Sequence, residues 1–544
     1  MSPARFEKAL PLAACGGHNH PNEGFGDLAL GVGAPAVTAA SVNLPDSVTV
    51  ARSVSAWAEV DGQLAALLGA GLTPVEALAR WGVQLLKANR FVDSAAALRA
   101  AVALAPGSGI LWTNLGLALD RGGHLADAAA CFESAVSIDG NQPNTWLLLG
   151  LVRKRLGDRN GSEESYRAAL KLQPDSAIIW QCLGLLKEEQ REYAEAIDCF
   201  EACARFGPPS AALSANLGKL YYQMGRIAEA HHAYGLALDA EPANSHYAQM
   251  RRKTRFLHGL MLGESVGDAL ATFQASAPST LTGKSDENVD RLLETTCGQL
   301  SNLGHVDVAV QVARKRLELR PDSATAKYIL GALLNEPGVT RSPREYIVET
   351  FDAFADQFEA KLVGVLDYDV PEKLCAAVRQ VAPDVQSYDA LDGGCGDGLC
   401  GPLLRPIARR LTGLDLSPRM LELAGRRNVY DSLVCEELCV FLGASPAAFD
   451  LIVSADVIIY FGDIAPLFSA AATALRQGGL FALSAEHLTG HSYRLQHSGR
   501  FAHAPDYVRS VASAHFAQEH SSETTIRLEG RERVRGNLFI FRRR

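Results

Sequence analysis

Two hydrophobic rhythms divide the chain. From about residue 73, small and apolar residues recur with one period: Gly82, Gly116, Gly150, Gly184 and Gly218 each stand 34 apart (116 − 82 = 34). Trp112, Trp146 and Trp180 keep that step, as do Pro174, Pro208 and Pro242. A small residue follows each glycine by twelve (Ser94, Ala128, Ser162, Ala196, Ala230). An unbroken period of this length marks stacked repeats that share a continuous core. After about residue 341 the rhythm changes. Short apolar runs suited to strands (387–391, 410–415, 432–435, 449–455, 480–485) alternate with helical patterns at 403–409, 417–426 and 464–475. This alternation predicts an α/β unit, a mainly parallel sheet with helices on both faces. Residues 523–528 and 536–541 then alternate with period two, which predicts a closing antiparallel hairpin.

Between these regions the period fades. Arg251-Arg252-Lys253-Thr254-Arg255 forms a small basic patch on a helix face, and 277–285 reads as a loop. The period resumes weakly with Cys297 in the glycine position, Ala309 twelve later and Gly331 34 later (331 − 297 = 34), which predicts one degenerate repeat and a final helix. Glu336-Pro337-Gly338 and Ser342-Pro343 mark the next boundary. The expected organisation is a flexible Ala/Gly/Pro-rich segment over 1–72, in which 56–68 forms one helix leading into the repeats. Five repeats over 73–248, a helical region with a degenerate repeat over 249–340, and the α/β unit over 341–544 follow.

Trp-x-x-Leu-Gly at 112–116, 146–150 and 180–184 resembles the first-helix signature of the tetratricopeptide (TPR) repeat. The resemblance implies an all-α solenoid of two antiparallel helices per repeat, with the glycine and the small residue where paired helices approach most closely. The tryptophans are then packing residues. It also implies a concave groove for a protein or peptide partner. Asn114 and Asn216, each directly before a Leu-Gly pair, hold the position that bonds a peptide backbone in such repeats; Arg80, Leu148 and Cys182 stand at the equivalent places.

Composition narrows the partners. A formal net charge of −9 argues against a general nucleic-acid surface or an anionic membrane. No apolar run approaches the roughly 18–20 residues of a membrane helix, and no secretory signature is expected at the start. The 11 cysteines, odd in number and without a C-x-x-C pair, read as reduced thiols of a cytoplasmic protein. Cys15-Gly16-Gly17-His18-Asn19-His20 lacks a second ligand cluster at structural-zinc spacing, so no metal site is expected.

The chemistry centres on Leu391-Asp392-Gly393-Gly394-Cys395-Gly396-Asp397-Gly398, between a strand and a helix start. Glycines let the backbone approach a ligand, and a helix start offers free N–H groups. Two registers overlap here. Gly396, Gly398 and Gly401 spell G-x-G-x-x-G, the dinucleotide fingerprint. Asp392, Gly394, Gly396 and Gly398 spell D-x-G-x-G-x-G. A pyrophosphate would sit close to Asp397, whose unpaired carboxylate would repel it. A ligand bearing an ammonium and a sulfonium suits an acidic setting. Every strand read after the turn also ends in acid (Asp415, Glu436-Glu437, Asp456, Glu486), and ligands of such sheets sit at those ends.

The second register resembles the first motif of class I S-adenosylmethionine (SAM) methyltransferases. Residues 413–421 (Gly-Leu-Asp-Leu-Ser-Pro-Arg-Met-Leu) and 449–457 (Phe-Asp-Leu-Ile-Val-Ser-Ala-Asp-Val) look like the second and fourth motifs. With Phe351-Asp352-Ala353-Phe354-Ala355 and Ser498-Gly499-Arg500-Phe501-Ala502-His503, the pattern over roughly 73–544 is similar to bacterial predicted methyltransferases with N-terminal TPR repeats. Gly393 departs from it, in place of an apolar residue, and so does Glu437, in place of aspartate.

The resemblance implies a Rossmann-like domain that binds SAM, with Gly394 and Gly396 in the turn. Asp392 would hold the methionine ammonium, Asp415 the ribose hydroxyls, Glu437 (or Glu436) the adenine amino group, and Asp456 would lie near the sulfonium and the nucleophile. Phe351, Phe354, Phe358 and Leu362 share a helix face that covers the sheet. A polar insertion at 487–503 concentrates Tyr493, Arg494, His497, Arg500 and His503 as a cover for the site. Where the acceptor must lose a proton, Tyr460 and His503 are candidate bases, with Arg500 beside them.

The expected function is SAM-dependent methyl transfer to an unidentified acceptor, with the TPR array recruiting protein. Two other readings stay open: a TPR scaffold whose domain binds SAM without catalysis, and an NAD(P)-dependent enzyme using the overlapping fingerprint.

Overall fold

The structure, a computed structural model, describes residues 47–276, 285–354, 368–383, 387–529 and 532–544. The Cys15–His20 motif, the 277–284 loop, the side chain of Phe354, and Phe358 and Leu362 lie outside the described residues. The chain falls into two compact units, Met1–Thr254 and Arg255–Arg544.

Five helical hairpins fill the first unit. They pair Pro74–Lys87 with Phe91–Leu104, Gly109–Arg121 with Leu125–Ile138, Pro143–Arg155 with Arg159–Leu172, Ala177–Glu189 with Tyr193–Phe206, and Ala211–Gln223 with Ile227–Ala240. The period has a direct steric cause. A Cβ on Gly116 would stand 2.6 Å from the Phe132 ring, and one on Gly150 2.5 Å from Tyr166. Each glycine thus seats a large side chain from the second helix of its own hairpin. The residue twelve later closes the contact: Ser94 donates to the Gly82 carbonyl at 2.7 Å and Ser162 to that of Gly150 at 2.8 Å. The three tryptophans do carry packing, and they also tie their own hairpins, the second to the fourth, to the preceding turn. Their indole N–H groups donate to the carbonyls of Pro106, Gly140 and Pro174 at 2.8–2.9 Å.

Gly150→Ala is expected to lower stability by about 1–3 kcal/mol through overpacking, read as a lower thermal midpoint; an unchanged midpoint would show that the hairpin can part there.

Before the repeats, the segment expected to be one helix is two. Ser47–Val60 and Gly62–Gly69 are separated at Asp61, whose carboxylate caps the second by accepting from the Gln63 and Leu64 N–H groups. Asp61 stops one helix and starts another because its side chain competes with the backbone for those donors.

In the second unit, helix Ser285–Asn302 packs on Val306–Leu319, with Cys297 Sγ 3.6 Å from the Ala309 carbonyl. The two residues picked out by the weakened period therefore touch, as Ser94 and Gly82, and Ser162 and Gly150, do in the full repeats. Helices Ala324–Leu334 and Arg344–Phe354 follow.

The sheet has nine strands: β1 Tyr388–Gly393, β2 Ala408–Asp415, β3 Ser432–Cys435, β4 Phe449–Ser454, β5 Leu475–His487, β6 Tyr493–Leu495, β7 Phe501–His503, β8 Phe516–Glu529 and β9 Glu532–Arg543. The order β3-β2-β1-β4-β5 is parallel. β9 then pairs antiparallel with β5, and β8 with β9. Successive residues face opposite layers, as the strand period requires. Leu391, Ile452, Phe481 and Phe539 enter one core, while Ala390, Leu451, Leu480 and Leu538 enter the other.

Three local expectations change. The helix after the glycine turn is only Gly401–Leu404, followed by a 3-10 turn at Arg405–Ile407. Pro406 lacks an N–H, and the Arg405 guanidinium bonds the carbonyls of Ala408 and Arg409, so the chain passes straight into β2. β5 begins at Leu475, which pairs with Phe449, because Arg476 is anchored on Asp389 and Asp450. The 487–503 insertion is a small hairpin, β6–β7, with β7 parallel to the end of β5.

Candidate active site

The site forms where β1, β2 and β4 end. Gly394 turns the chain at φ 80°, and a Cβ there would stand 2.3 Å from Val457 Cγ2. The N–H groups of Gly394 and Cys395 donate to the Leu414 carbonyl (2.7 and 2.9 Å), and that of Gly396 to Asp415 Oδ2 (2.9 Å). The turn is thereby locked to the end of β2. Asp415 also accepts from the Ser417 N–H at 2.9 Å, and Ser417 caps helix Pro418–Arg426. Burial raises the Asp415 carboxyl, against the pull of these N–H bonds.

Asp392 is 1% exposed. Burial lifts its carboxyl to about 7; a hydrogen bond from the Tyr430 hydroxyl (2.6 Å) opposes the rise, and Asp415 and Asp397 add to it. Asp397 is not the unpaired carboxylate expected. Arg427 binds it at 2.8 Å and also donates to its carbonyl at 2.7 Å. Its charge therefore no longer argues against a phosphate, and the choice of register rests on Asp392.

Glu437 caps helix Leu438–Gly443, accepting from the Cys439 and Val440 N–H groups (3.0 and 2.9 Å), and pairs with Arg341. Burial alone would raise its carboxyl, but these three bonds outweigh it and hold it below the usual range. Gly393 departs from the apolar pattern because Leu438 fills the space: a Cβ there would lie 3.0 Å from Leu438 Cδ1.

Asp456 sits at φ 55°, a left-handed conformation that few side chains adopt. Ser484 Oγ accepts from its N–H at 2.8 Å and donates to Oδ1 at 3.0 Å. Arg527, 4% exposed, reaches Oδ2 at 3.3 Å and also pairs with Glu486. Burial raises both acids, and Arg527 opposes it.

One cavity runs past all six residues expected to hold a cofactor: Asp392, Gly394, Gly396, Asp415, Glu437 and Asp456. Tyr460 and Arg500 also line it, hydrogen-bonded to one another, with Phe351 edge-on to Tyr460 at 5.9 Å. Burial raises the Tyr460 hydroxyl, with Arg500 opposing, which keeps the phenol protonated near neutrality.

His503 lies outside the cavity. It is 1% exposed, its Nε2 meets the Phe461 carbonyl at 2.8 Å, and its ring stacks on Tyr507. Burial pushes it down to about 4. The imidazole is a neutral anchor of the β6–β7 hairpin, which corrects its candidacy as a base.

Three residues of the site carry no signal in the sequence. Tyr430 sits in a short connection, Arg527 in an alternating strand where a charge reads as solvent-facing, and Arg341 before the sheet begins. In the first unit, Asn216 is half-buried, whereas Asn114 is 4% exposed with its carboxamide oxygen unpartnered among the described residues.

Residues 391–483 match a family model described as a methyltransferase domain. Residues 79–143 and 147–211 match one tetratricopeptide-repeat model, and 187–254 another. The chain joins TPR repeats to a methyltransferase domain.

A search of curated proteins finds no match. Solved structures similar to parts of the chain include NodS, an N-methyltransferase of Bradyrhizobium japonicum WM9 in complex with S-adenosyl-L-homocysteine. It is 18% identical, with 36% of this chain and 98% of that one covered, TM-score 0.30. An S-adenosylmethionine-dependent methyltransferase from Mesorhizobium loti is 25% identical (31% and 96% covered, TM-score 0.27). YrrB, a TPR protein, is 17% identical (32% and 91% covered, TM-score 0.30). No helix among the described residues is long and apolar enough to cross a membrane.

Proposed function

We propose that the methyltransferase domain binds SAM in this cavity and methylates an acceptor that the TPR array brings to it. The observation that carries this reading is the set of carboxylates along one cavity in a matched methyltransferase domain, Asp392 buried and Asp415 and Asp456 half-buried. Bound there, SAM would supply a methyl group already activated by its sulfonium. Every other role falls to the chain. Asp392 is the counter-charge for an ammonium, with Tyr430 holding its carboxylate in place. Asp415 accepts from ribose hydroxyls with the lone pairs left by Gly396 and Ser417. Glu437, oriented by its helix and by Arg341, or the neighbouring Glu436, accepts from an adenine amino group. Asp456, fixed by Ser484 and Arg527, faces the place where positive charge and nucleophile meet.

Tyr460 and Arg500 form the acceptor end of the cavity, where positioning and the exclusion of water accelerate a displacement without a strong base. A proton lost by the acceptor passes to Asp456, whose carboxyl burial has raised. In the TPR array, the half-buried Asn216 is the accessible peptide contact; Asn114 needs its neighbours to part before its oxygen can accept a bond.

Calorimetry of the full chain with S-adenosylhomocysteine and with NAD tests the cofactor. Binding of the first and not the second is expected, and NAD binding alone sinks the proposal. A scaffold that binds without catalysing is separated by labelled-methyl transfer from SAM into lysate, abolished by Asp392→Ala; no incorporation into any fraction favours the scaffold.

A further inference from the structure

Beside the residues assigned to the acceptor end of the cavity, helix Ala324–Leu334 shares a core with Phe501 and Tyr460. We propose that Tyr328, on helix Ala324–Leu334, is a positioning residue that sets Tyr460 and Arg500 through their backbones; this rests on the assignment of that end of the cavity to the methyl acceptor.

The Tyr328 hydroxyl is buried. It donates to the Gly499 carbonyl at 2.8 Å and lies 2.7 Å from Ser342 Oγ. A phenol has one proton, so with that proton on Gly499 the Ser342 hydroxyl is the donor of the second bond. Ser342 in turn donates its backbone N–H to the Tyr460 carbonyl at 2.9 Å. Gly499 immediately precedes Arg500. One oxygen thus stands a single residue from each of two cavity side chains that are 40 positions apart in sequence (500 − 460 = 40).

The surroundings give this joint little slack. The Thr340 carbonyl accepts from Gly462 and Asp463 at 2.8 and 3.0 Å, and the Arg341 guanidinium lies over the Phe461 ring at 4.5 Å. The Tyr346 ring packs 4.8 Å from that of Tyr328. Gly499 has φ 78°, and a Cβ there would meet the Tyr346 hydroxyl at 2.8 Å and Ile329 at 3.0 Å, so the loop carrying Arg500 can sit this close only because 499 is glycine. Packing alone would be satisfied by phenylalanine at 328. The hydroxyl adds two bonds, and their loss leaves a carbonyl and a hydroxyl without partners in a buried place.

The test uses the full chain with Tyr328→Phe and Ser342→Ala. In Tyr328→Phe, amide exchange at 457–463 and at 497–502 is expected to rise together by about tenfold, while affinity for S-adenosylhomocysteine stays within about twofold. Labelled-methyl transfer into lysate should lose roughly tenfold or more in kcat with KM for SAM unchanged, a split that general destabilisation would not produce. Ser342→Ala keeps the Gly499 bond, so it should loosen 457–463 and leave 497–502 as in the wild type. The proposal is overturned if Tyr328→Phe leaves both segments protected, or if kcat falls only together with cofactor affinity and thermal midpoint. A wild-type chain that binds no S-adenosylhomocysteine overturns the cofactor reading instead, and the exchange pattern still decides the joint.

Discussion

Asp392→Asn is expected to lower affinity for SAM and S-adenosylhomocysteine by roughly 100-fold, the cost of removing one partner of a buried, hydrogen-bonded charge pair. Asparagine keeps the size of the side chain and can still accept from Tyr430, so the fold should survive and the loss should be confined to binding. The wild type has a distinctive pH behaviour. Burial lifts the Asp392 carboxyl to about 7 in the ligand-free protein, so below that pH a cationic ligand must displace a proton. Affinity should rise from about pH 6 to about pH 8 and then level off, with up to one proton released near the lower end. Calorimetry in buffers of different ionisation enthalpy reads that proton.

The stability of the ligand-free protein should move the other way. The folded value lies above the unfolded one of about 3.9, so the contribution of Asp392 is full below about pH 4 and is lost as pH rises through about 7. Asp392→Asn should flatten that slope. An affinity that ignores pH in the wild type would remove Asp392 from the ammonium site.

Arg527→Met is expected to cost about 3–5 kcal/mol of stability, because it removes the guanidinium paired with the buried Glu486 and the half-buried Asp456. Chemical denaturation of the full chain should show the loss in the transition that carries β8 and β9. The deficit should shrink as pH falls, since both carboxyls are already raised by burial and neutralise readily once the guanidinium is gone. Arg527→Lys should fall between the two, since a point ammonium reaches two carboxylates less well than a planar fork. A methionine variant as stable as the wild type would mean that Arg527 is solvated in solution.

Much of this fold was legible because its rules are local. The 34-residue step has a steric cause within each hairpin, Gly150 against Tyr166 and Ser162 against the Gly150 carbonyl, so a period in sequence is a period in space. The acids at the strand ends were legible because the βα alternation places such residues on one edge whatever their detailed contacts. What remained hidden depends on pairings between distant segments. Arg527 reaches Asp456 only because β9 lies between β8 and β5. Asp397 reads as a lone charge until Arg427, 30 positions on (427 − 397 = 30), is folded against it. His503 has the right chemistry for a base, and only the position of the Phe461 carbonyl shows that the ring faces away from the cavity. The shortened helix before β2 was half legible: Pro406 announced a break, but the arginine that straightens the chain there did not.

The backbone at Asp456 bears on whether this domain still works. A left-handed turn accommodates asparagine or glycine more comfortably than aspartate, and neither would place a charge in the interior. For a durable fold alone, either replacement would serve. A domain reduced to a platform for its repeats would be free to make that exchange, whereas one that still handles a cationic centre and an incoming nucleophile would not. An aspartate held in that turn by Ser484 and Arg527 is what a working enzyme would be expected to keep.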